Sequence, residues 1–592
     1  MPEKTIEEYG ATEFQRWCEG SESGWSDVSS EYEKAREYYE NVQAPSDAPA
    51  NKEWVQENLV TDLVNGLVGQ LIGGRADINL NGGGKMGKPV RELVDDIIKS
   101  NKFTEKHLEP IGNMFYTEGL GGIYIPFNPY RLTQYGIGWP EIYTLLTTKG
   151  ELLLDDTSRG FMHEDDIYRI FRTPRLVEYI ESKWPHLKGK IKASHMRTGQ
   201  GGSESEKYGD VYTIEYKVTE QIKVGDLDDG LTKQKLLMAY EEEQVIERDK
   251  FYQAIMVNRT ELAEKGKPTG FNRFRIIPVI HTPRLMNKKY PMGVGLLMTG
   301  TQDQINVVGS VALDAVKAEI KNLLILLNTT KDQENRVKQE ASKTNGVVAL
   351  TGNDVRVVQA QRQGISPALL QWYEWKRRSF DEISGRYAPE KGATDGDLSG
   401  KAIGLLQMKG AVPELTKKLH LEYAFSEMAS VVLECINGKM SKQPILIERE
   451  IDGEEMKIPY NMPLDEVRAR KVKIDEEYMV VGQDGIVNDL SKIDVDDIDL
   501  EVEVVLDTYG KEQFEANKAL TARGQGLMGV QDTLKKLYPN EWRDLLDGLM
   551  KESQAMKILG QLQKMPPEAL ANISQQADEI ENLMNMAQEG QQ

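Results

Sequence analysis

The glycine-rich stretch at residues 82–89 (GGGKMGKP) has residue types that could bind a phosphate group. It nearly matches the G-x4-G-K-[ST] loop, in which backbone N–H groups cradle phosphates and a hydroxyl side chain holds Mg²⁺. Pro89 stands where that hydroxyl residue is required. The stretch therefore predicts a flexible turn before a helix started by proline, with nucleotide binding by Gly82 to Lys88 as the alternative.

Three further stretches match parts of known ligand-binding motifs. Residues 524–529 (GQGLMG) fit G-x-G-x-x-G, but a dinucleotide site needs a preceding strand and the residues before them have a helical pattern. Residues 395–400 begin like a calcium loop, yet Leu406 takes the twelfth position, where a bidentate acid belongs. The acidic residues 494–503 could bind a divalent cation, although a charged, exposed strand face is favoured.

The residues of the common catalytic and metal-binding motifs are missing. The six histidines are scattered, without H-E-x-x-H or a Cys/His cluster, and no G-x-S-x-G is present. The sequence therefore predicts no enzyme, no catalytic residue, no metal site and no cofactor.

The bulk properties predict a multidomain globular chain in a reducing compartment. Its 592 residues exceed what one core supports, and 39% are hydrophobic and 28% charged. Only Cys18 and Cys435 are present, which argues against a disulfide framework. The N-terminus, MPEKTIEEYG, has no apolar region of a secretory signal, and the longest apolar run, residues 323–327, is too short to cross a membrane.

Residues 290–410 organise the chain. A helix is predicted from Thr301, which can cap it with Gln304 in a capping box, and a second helix from Pro367 to Ser384. The small α/β insert between them has a charged helix at 331–342 and strands at 346–350 and 355–360.

The remaining segments alternate between helical and strand patterns, so the predicted fold class is α+β. A further helix begins near Ser399 and is interrupted at Gly410 and Pro413. The patterns elsewhere are helices at 1–80, a glycine-rich loop at 79–87, a short helix at 89–99, an α+β region at 119–290 with a loop at 200–209, strands at 444–508 (among them 472–481) and helices at 510–590.

The first of the two central helices has a small residue at every third position. The series is Gly309, Ala312, Ala315 and Ala318. Such residues permit close helix approach, but a spacing of three drifts around the helix. Two interpretations stay open, an ordinary core helix and a helix packed against symmetry copies of itself.

The order of these segments resembles that of the portal proteins of tailed bacteriophages. Tyr290-Pro291-x-Gly293 is followed by TGTQDQINVVGSVALDAVKAEI, a small insert, a helix and the start of another at residues 398–403 (LSGKAI). The N-terminal stretches EKAREYYENVQ and ENLVTDLVNGLVGQLIGGRADI are similar to the opening helices of that family. The resemblance covers most of residues 30–440.

The resemblance implies a portal-type subunit with paired stem helices. It divides the chain into a wing at 1–290, stem helix 1 at 291–322, a small α/β clip at 323–364, stem helix 2 at 365–385, a tunnel loop at 386–398, a long kinked helix at 399–438, wing strands at 439–508, and a helical crown with the C-terminal tail at 509–592.

The resemblance also implies a function. Such subunits form a homo-oligomeric ring, typically a dodecamer, at one capsid vertex of the virion after assembly in the host cytoplasm. Double-stranded DNA passes through the ring in packaging and ejection. The implied partners are that DNA, the terminase large subunit, the head-to-tail adaptor, and the major capsid and scaffolding proteins, with no membrane.

Site residues follow from the same resemblance. The net charge of −21 suits a channel that must not hold DNA, because each neutralised phosphate adds affinity. The DNA-channel candidates are Arg386, Lys391 and Lys401. The clip docking candidates are Lys331, Glu334, Arg336 and Lys338. The alternatives are a nucleotide-binding enzyme that uses the 82–88 loop, or another self-associating structural or scaffold protein.

Overall fold

The computed structural model divides the chain into two compact units, Met1–Thr508 and Tyr509–Gln592. The structure describes residues 9–44, 53–73, 75–82, 84–133, 136–160, 162–197, 206–226, 244–284, 290–320, 323–327, 330–341, 356–360, 367–384, 400–451, 454–469, 478–482, 484–493 and 498–505. All described residues belong to the first unit, so the predicted crown and the 524–529 motif lie outside them.

Helices and strands alternate along this unit, which confirms the α+β class. The helices are α1 Ala11–Tyr39, α2 Leu59–Gly73, α3 Gly87–Ser100, α4 Leu108–Thr117, α5 Val177–Lys183, α6 Val294–Ile320, α7 Lys331–Ala341, α8 Pro367–Ser384, α9 Gly400–Lys439 and α10 Leu464–Ala469. The strands are β1 Arg75–Gly82, β2 Leu120–Tyr124, β3 Phe127–Thr133, β4 Gly136–Pro140, β5 Tyr143–Leu145, β6 Leu152–Leu153, β7 Tyr168–Leu176, β8 His195–Arg197, β9 Glu206–Lys223, β10 Val245–Val257, β11 Glu261–Pro268, β12 Ile276–Ile280, β13 Leu323–Leu327, β14 Arg356–Ala360, β15 Ile445–Ile451, β16 Glu454–Tyr460, β17 Met462–Pro463, β18 Ile486–Val487 and β19 Ile498–Val505.

The large sheet is antiparallel, with the strand order β11-β10-β9-β7-β6 and with β8 beside β9. Side chains alternate across it, as the period of a strand requires. Tyr168, Ile214 and Met256 lie on one face, in a core with the first turns of α1, while Val211 and Ile255 pack on the other face with α5.

Helix α1 ties the large sheet to the rest of the unit. Its buried side chains recur at intervals that keep them on one side of the helix: Phe14, Cys18, Ser21, Val28, Tyr32, Ala35 and Tyr38. Trp17 stacks on Tyr168 of the sheet at a ring-centre distance of 4.7 Å. At the other end of the helix, Tyr38 joins the main core of the unit.

The main core lies between α2, α3, α4, α9 and a small antiparallel sheet of order β12-β2-β5. The second half of α9 contributes an almost continuous series of buried apolar side chains, from Leu421 to Ile436. The hairpin of β15 and β16 closes this core with Ile447 and Tyr460. The N-terminal part of α6 enters it through Met298 and Ile305.

The structure confirms the two central helices and the small insert. Helix α8 begins at Pro367 and ends at Ser384, as the proline predicts. The insert has the charged helix α7, and β13 pairs antiparallel with β14. The prediction that Thr301 caps the first helix is wrong, because α6 begins at Val294 and Thr301 lies inside it.

Three other local predictions are wrong, and a fourth is tested only in part. The helix α9 runs without interruption through Gly410 and Pro413, since a proline removes only one hydrogen-bond donor from the helix ladder. Residues 75–82, expected in a helix and a loop, form β1 and pair with β19. Residues 206–209 of the predicted loop belong to β9. Of the predicted strand at 472–481, Val481 makes only an isolated bridge and residues 470–477 lie outside the described residues.

Candidate functional site: the α6–α8 pair and its base

The base of α6 is a turn, Tyr290 to Gly293, that α1 and the backbone at Leu154 hold through hydrogen bonds. The buried Tyr290 hydroxyl accepts from the Leu154 N–H at 3.3 Å and donates to the Ser21 carbonyl at 3.2 Å. The Tyr32 hydroxyl of α1 donates to the Pro291 carbonyl at 2.5 Å. These contacts account for Tyr290 in the Tyr-Pro-x-Gly stretch, because its buried hydroxyl makes two of the hydrogen bonds.

Glycines allow the start of α6 to cross the end of α4 with backbone against backbone. Gly119 has a φ of +102°, and a Cβ there would lie 2.2 Å from the Met292 carbonyl carbon. A Cβ on Gly293 would lie 2.6 Å from the Tyr116 carbonyl oxygen. Real Cβ contacts are never this short, so neither Gly119 nor Gly293 can be replaced by a residue with a side chain unless the backbone moves. This close backbone contact fixes the position of the N-terminus of α6 relative to α4.

Glu118 places a buried carboxyl group at this crossing. Its carboxylate accepts from Arg36 Nε at 3.0 Å and from the Thr147 hydroxyl at 3.2 Å, and its carbonyl accepts from the Gly293 N–H at 2.8 Å. Burial raises the pKa of Glu118 to about 7, despite the opposing effect of Arg36 and Thr147. Desolvation prevails because this side chain is almost fully buried, whereas Arg36 is partly exposed.

We expect the stability of the unit to depend on Glu118 and pH. The folded state binds a proton at Glu118 more tightly than the unfolded state, so folding stability falls as the pH rises from about 4.5 to about 7. Glu118→Gln removes the titrating group. The free energy of unfolding of this variant, relative to that of the wild type, should therefore rise by up to about 3 kcal/mol between pH 5 and pH 8. Chemical denaturation at both pH values measures it.

The control is Glu33→Gln, which removes a carboxylate from the exposed side of α1. A stability difference between Glu118→Gln and the wild type that is equal at both pH values would contradict the prediction.

Three buried polar side chains repeat at every fourth position of α6: Gln302, Asn306 and Ser310. The Asn306 side chain donates to Gln43 Oε1 at 2.5 Å and accepts from the Glu57 N–H at 3.2 Å. The Ser310 hydroxyl accepts from the Val55 N–H at 2.9 Å. These hydrogen bonds hold residues 53–58, which form no helix or strand, along α6. Sequence reasoning missed this role, although polar residues at a four-residue spacing in an apolar helix were a signal.

The side of α6 that faces away from these contacts is an exposed stripe. Positions 297, 300, 304, 307 and 311 are all exposed, and their alternating spacing of three and four places them on one face. Three of its side chains are apolar, with Leu297 51% exposed, Val307 48% and Val311 44%, and Gln304 is polar. We call residues 297, 300, 304, 307 and 311 the α6 stripe.

Helix α8 carries a second exposed apolar stripe, which lies beside its buried face. Trp372, Trp375 and Ile383 are 38%, 56% and 62% exposed and lie on one flank with Ser379. The Lys376 ammonium lies 5.2 Å from the Trp372 ring and 4.8 Å from the Trp375 ring, so it holds both indoles by cation–π attraction. We call residues 372, 375, 379 and 383 the α8 stripe.

The two stripes lie at matching heights along the α6–α8 pair. Phe380, near the end of α8, shares the main core with Met298, near the start of α6, so the helices are antiparallel. In the middle, a Cβ on Gly309 would lie 3.7 Å from Tyr373 Cε2. Residues 307 and 311 therefore lie level with residues 375 and 372, and residue 297 lies near the level of residue 383.

The structure leaves most of the predicted site residues untested. Among the docking candidates on α7, Lys331 and Arg336 are exposed, Glu334 is half-buried, and the Lys338 side chain is outside the described residues. The described residues exclude two DNA-channel candidates, Arg386 and Lys391, the whole tunnel loop at 386–398 and the predicted strand at 346–350. Lys401 belongs to α9, with a side chain that is likewise outside.

The end of the glycine-rich stretch 82–89, residues 87–89, begins α3 and contacts neighbouring side chains. The Tyr460 hydroxyl donates to the Pro89 carbonyl at 2.6 Å, and Pro89 itself is buried. The Lys88 ammonium lies 5.9 Å from the centre of the Tyr478 ring. The first turn of α3, where a phosphate would have to bind, is thus used in packing.

Neither a metal centre nor a membrane span is found within the ranges that the structure describes. No group of three or more His, Cys, Asp or Glu side chains in those ranges could hold an ion. No helix there is long and apolar enough to cross a bilayer. The acidic residues 498–503 belong to β19, paired with β1.

Comparison with known proteins gives one match over nearly the whole sequence. The family model described as "Phage P22-like portal protein" matches residues 15–592. No curated protein matches the chain. A solved structure, "Virion of native gene transfer agent (GTA) particle", is similar at 10% identity and a TM-score of 0.31, over 66% of this chain and 86% of the other.

Proposed function

Because the chain belongs to the phage P22-like portal protein family, we propose that it forms the ring-shaped portal at one vertex of a tailed-phage capsid. The match over residues 15–592 carries this proposal, since it spans both units of the chain. The family is structural and non-enzymatic. The virion location follows from the same membership.

The geometry supports a portal-type division of the chain. The antiparallel pair of α6 and α8 would be the stem, and the insert at 323–364 between them would be the clip. The large sheet and the segments around it would be the wing. The 40-residue helix α9, which begins directly after residues 386–398, would follow the tunnel loop. Residues 509–592 would be the crown.

The charge balance supports passage of double-stranded DNA without tight binding. Each phosphate that a protein cation neutralises releases counterions and adds affinity, which would slow a moving duplex. A chain with a net charge of −21 avoids this. Arg386, Lys391 and Lys401 would then be the few cations at the narrowest part of the channel.

The insert offers a surface for the packaging motor and for the tail adaptor. Helix α7 exposes Lys331 and Arg336 and has charged residues at most of its positions. Ion pairs at an exposed surface steer and orient a partner more than they tighten binding, which suits partners that exchange. The terminase large subunit and the head-to-tail adaptor would dock here in turn, while capsid and scaffolding proteins would contact the wing.

The proposed function is tested by deleting residues 388–397 from the tunnel loop. The variant should still assemble into rings, because the deletion lies outside the helices that form the stem. DNA packaging or retention in particles built with the variant should fall strongly, measured as nuclease-protected DNA per particle. Deletion of residues 331–336 from α7 would serve as the control for clip damage, and should reduce motor docking instead. Normal packaging by the 388–397 deletion would contradict the assigned role.

A further inference from the structure

The α6 stripe and the α8 stripe are two exposed surfaces with large apolar side chains in the part of the chain that the structure describes. Each is several turns long and contains large apolar side chains, and the α8 stripe includes two tryptophans. Tryptophan is among the residues that most often dominate the binding energy of protein interfaces. Resting on the proposed function, we infer that each α6 stripe packs against the α8 stripe of the neighbouring subunit.

Matching heights support a second copy of this chain as the occupant. Subunits in a ring are related by rotation about one axis, and an axis parallel to the stem leaves every residue at its own height. Val307 and Val311 of one subunit would then meet Trp375 and Trp372 of the next, and Leu297 would lie near Ile383. Apolar side chains are thus placed opposite apolar side chains at both ends of the shared length, and the polar Gln304 lies near the level of Ser379.

The two stripes are different surfaces, which makes the contact heterologous. A heterologous contact leaves one free surface at each end of a pair, so it continues until a ring closes or as an open filament. An isologous contact of α6 with α6 would stop at a dimer. The inferred contact would therefore not stop at a dimer, and the proposed portal function requires that it close into a ring.

The α8 stripe is prepared for binding before a neighbour arrives. Lys376 lies within cation–π distance of both indoles and restricts their motion. A side chain that is already ordered loses less entropy on association. Charged residues, including Glu374 and Arg378, lie on another side of α8, where water can reach them.

The test compares ring formation by single variants, with native mass measured by light scattering. Trp375→Glu and Val307→Glu should each abolish the ring peak. Leu370→Glu makes the same kind of change at an exposed apolar residue on the other side of α8, and should form rings as the wild type does. Circular dichroism and thermal unfolding should show all three variants folded, because the three side chains are exposed.

Mixing the two defective variants tests the heterologous pairing. The Trp375→Glu chain keeps an intact α6 stripe and the Val307→Glu chain keeps an intact α8 stripe. An equal mixture should therefore give a species of two 66.9 kDa chains and no larger one. Neither variant alone should give this species.

Two outcomes would overturn the inference. They are rings formed by either single variant, and an equal mixture of the two variants that stays monomeric. Failure of the proposed function looks different, because the wild type itself would then form no ring.

Discussion

Replacing Gly119 by alanine is expected to destabilise the Met1–Thr508 unit by more than about 4 kcal/mol. The new Cβ would lie 2.2 Å from the Met292 carbonyl carbon, and backbone atoms cannot yield as a flexible side chain can. The φ of +102° adds conformational strain for any L residue. The variant should show a large fall in soluble yield and in the midpoint of denaturant unfolding.

Gly189→Ala is the matched control for the effect of φ alone. Gly189 has a φ of +76°, and a Cβ there would meet nothing within 4 Å. It should cost only about 1 kcal/mol, the ordinary penalty for a left-handed backbone. Equal losses for the two variants would show that the crossing of α4 and α6 is not tightly packed.

Glu215→Ala is expected to cost about 3–5 kcal/mol. Glu215 of the large sheet accepts two hydrogen bonds from Arg275, from Nε at 2.8 Å and from its backbone N–H at 2.8 Å. Both side chains are buried, so truncating Glu215 leaves the Arg275 guanidinium in a low dielectric without its counter-ion. Denaturant unfolding at pH 7 measures the loss.

A double variant separates the loss of the pair from the cost of the orphaned charge. Glu215→Leu combined with Arg275→Met removes the orphaned charge and should recover part of the stability, while the backbone N–H of residue 275 stays without its carboxylate acceptor. Lys99→Ala removes an exposed partner of Asp95 and should change stability by less than about 1 kcal/mol. A Glu215→Ala variant as stable as Lys99→Ala would contradict the assigned role of the buried pair.

Local chemistry predicted the elements of the central stretch well. The proline at 367 fixed the start of α8, because its ring suits the first turn of a helix and lacks a donor that this turn does not need. Alternation of polar and apolar residues placed the strand at 211–219 within β9. The same patterns gave the α+β class.

Features that depend on distant segments escaped prediction. β1 pairs with β19 across more than 400 residues, and no local pattern at 75–82 indicates that partner. Thr301 has a capping-box pattern yet lies inside α6, because the base at Met292 and Gly293 and the apolar run after it start the helix earlier. The φ of Gly119 depends on the crossing of two helices that are far apart in sequence.

The candidate surfaces show the same limit. The docking and channel candidates rested on resemblance, and the described structure tests the positions of few of them. The two stripes were not visible in sequence, because an apolar residue on a helix has the same pattern whether it faces its own core or a neighbouring subunit. Only the fold separates Tyr373, which faces α6, from Trp375, which faces solvent.

Electron microscopy of the purified, negatively stained full-length chain tests the central claim most directly. End-on views should show closed rings of one size with a central hole, and side views should show a narrow stem below a wider body. Light scattering on the same sample should give a mass many times that of the 66.9 kDa chain. Monomers at every protein concentration and salt condition, or open filaments without a hole, would contradict it.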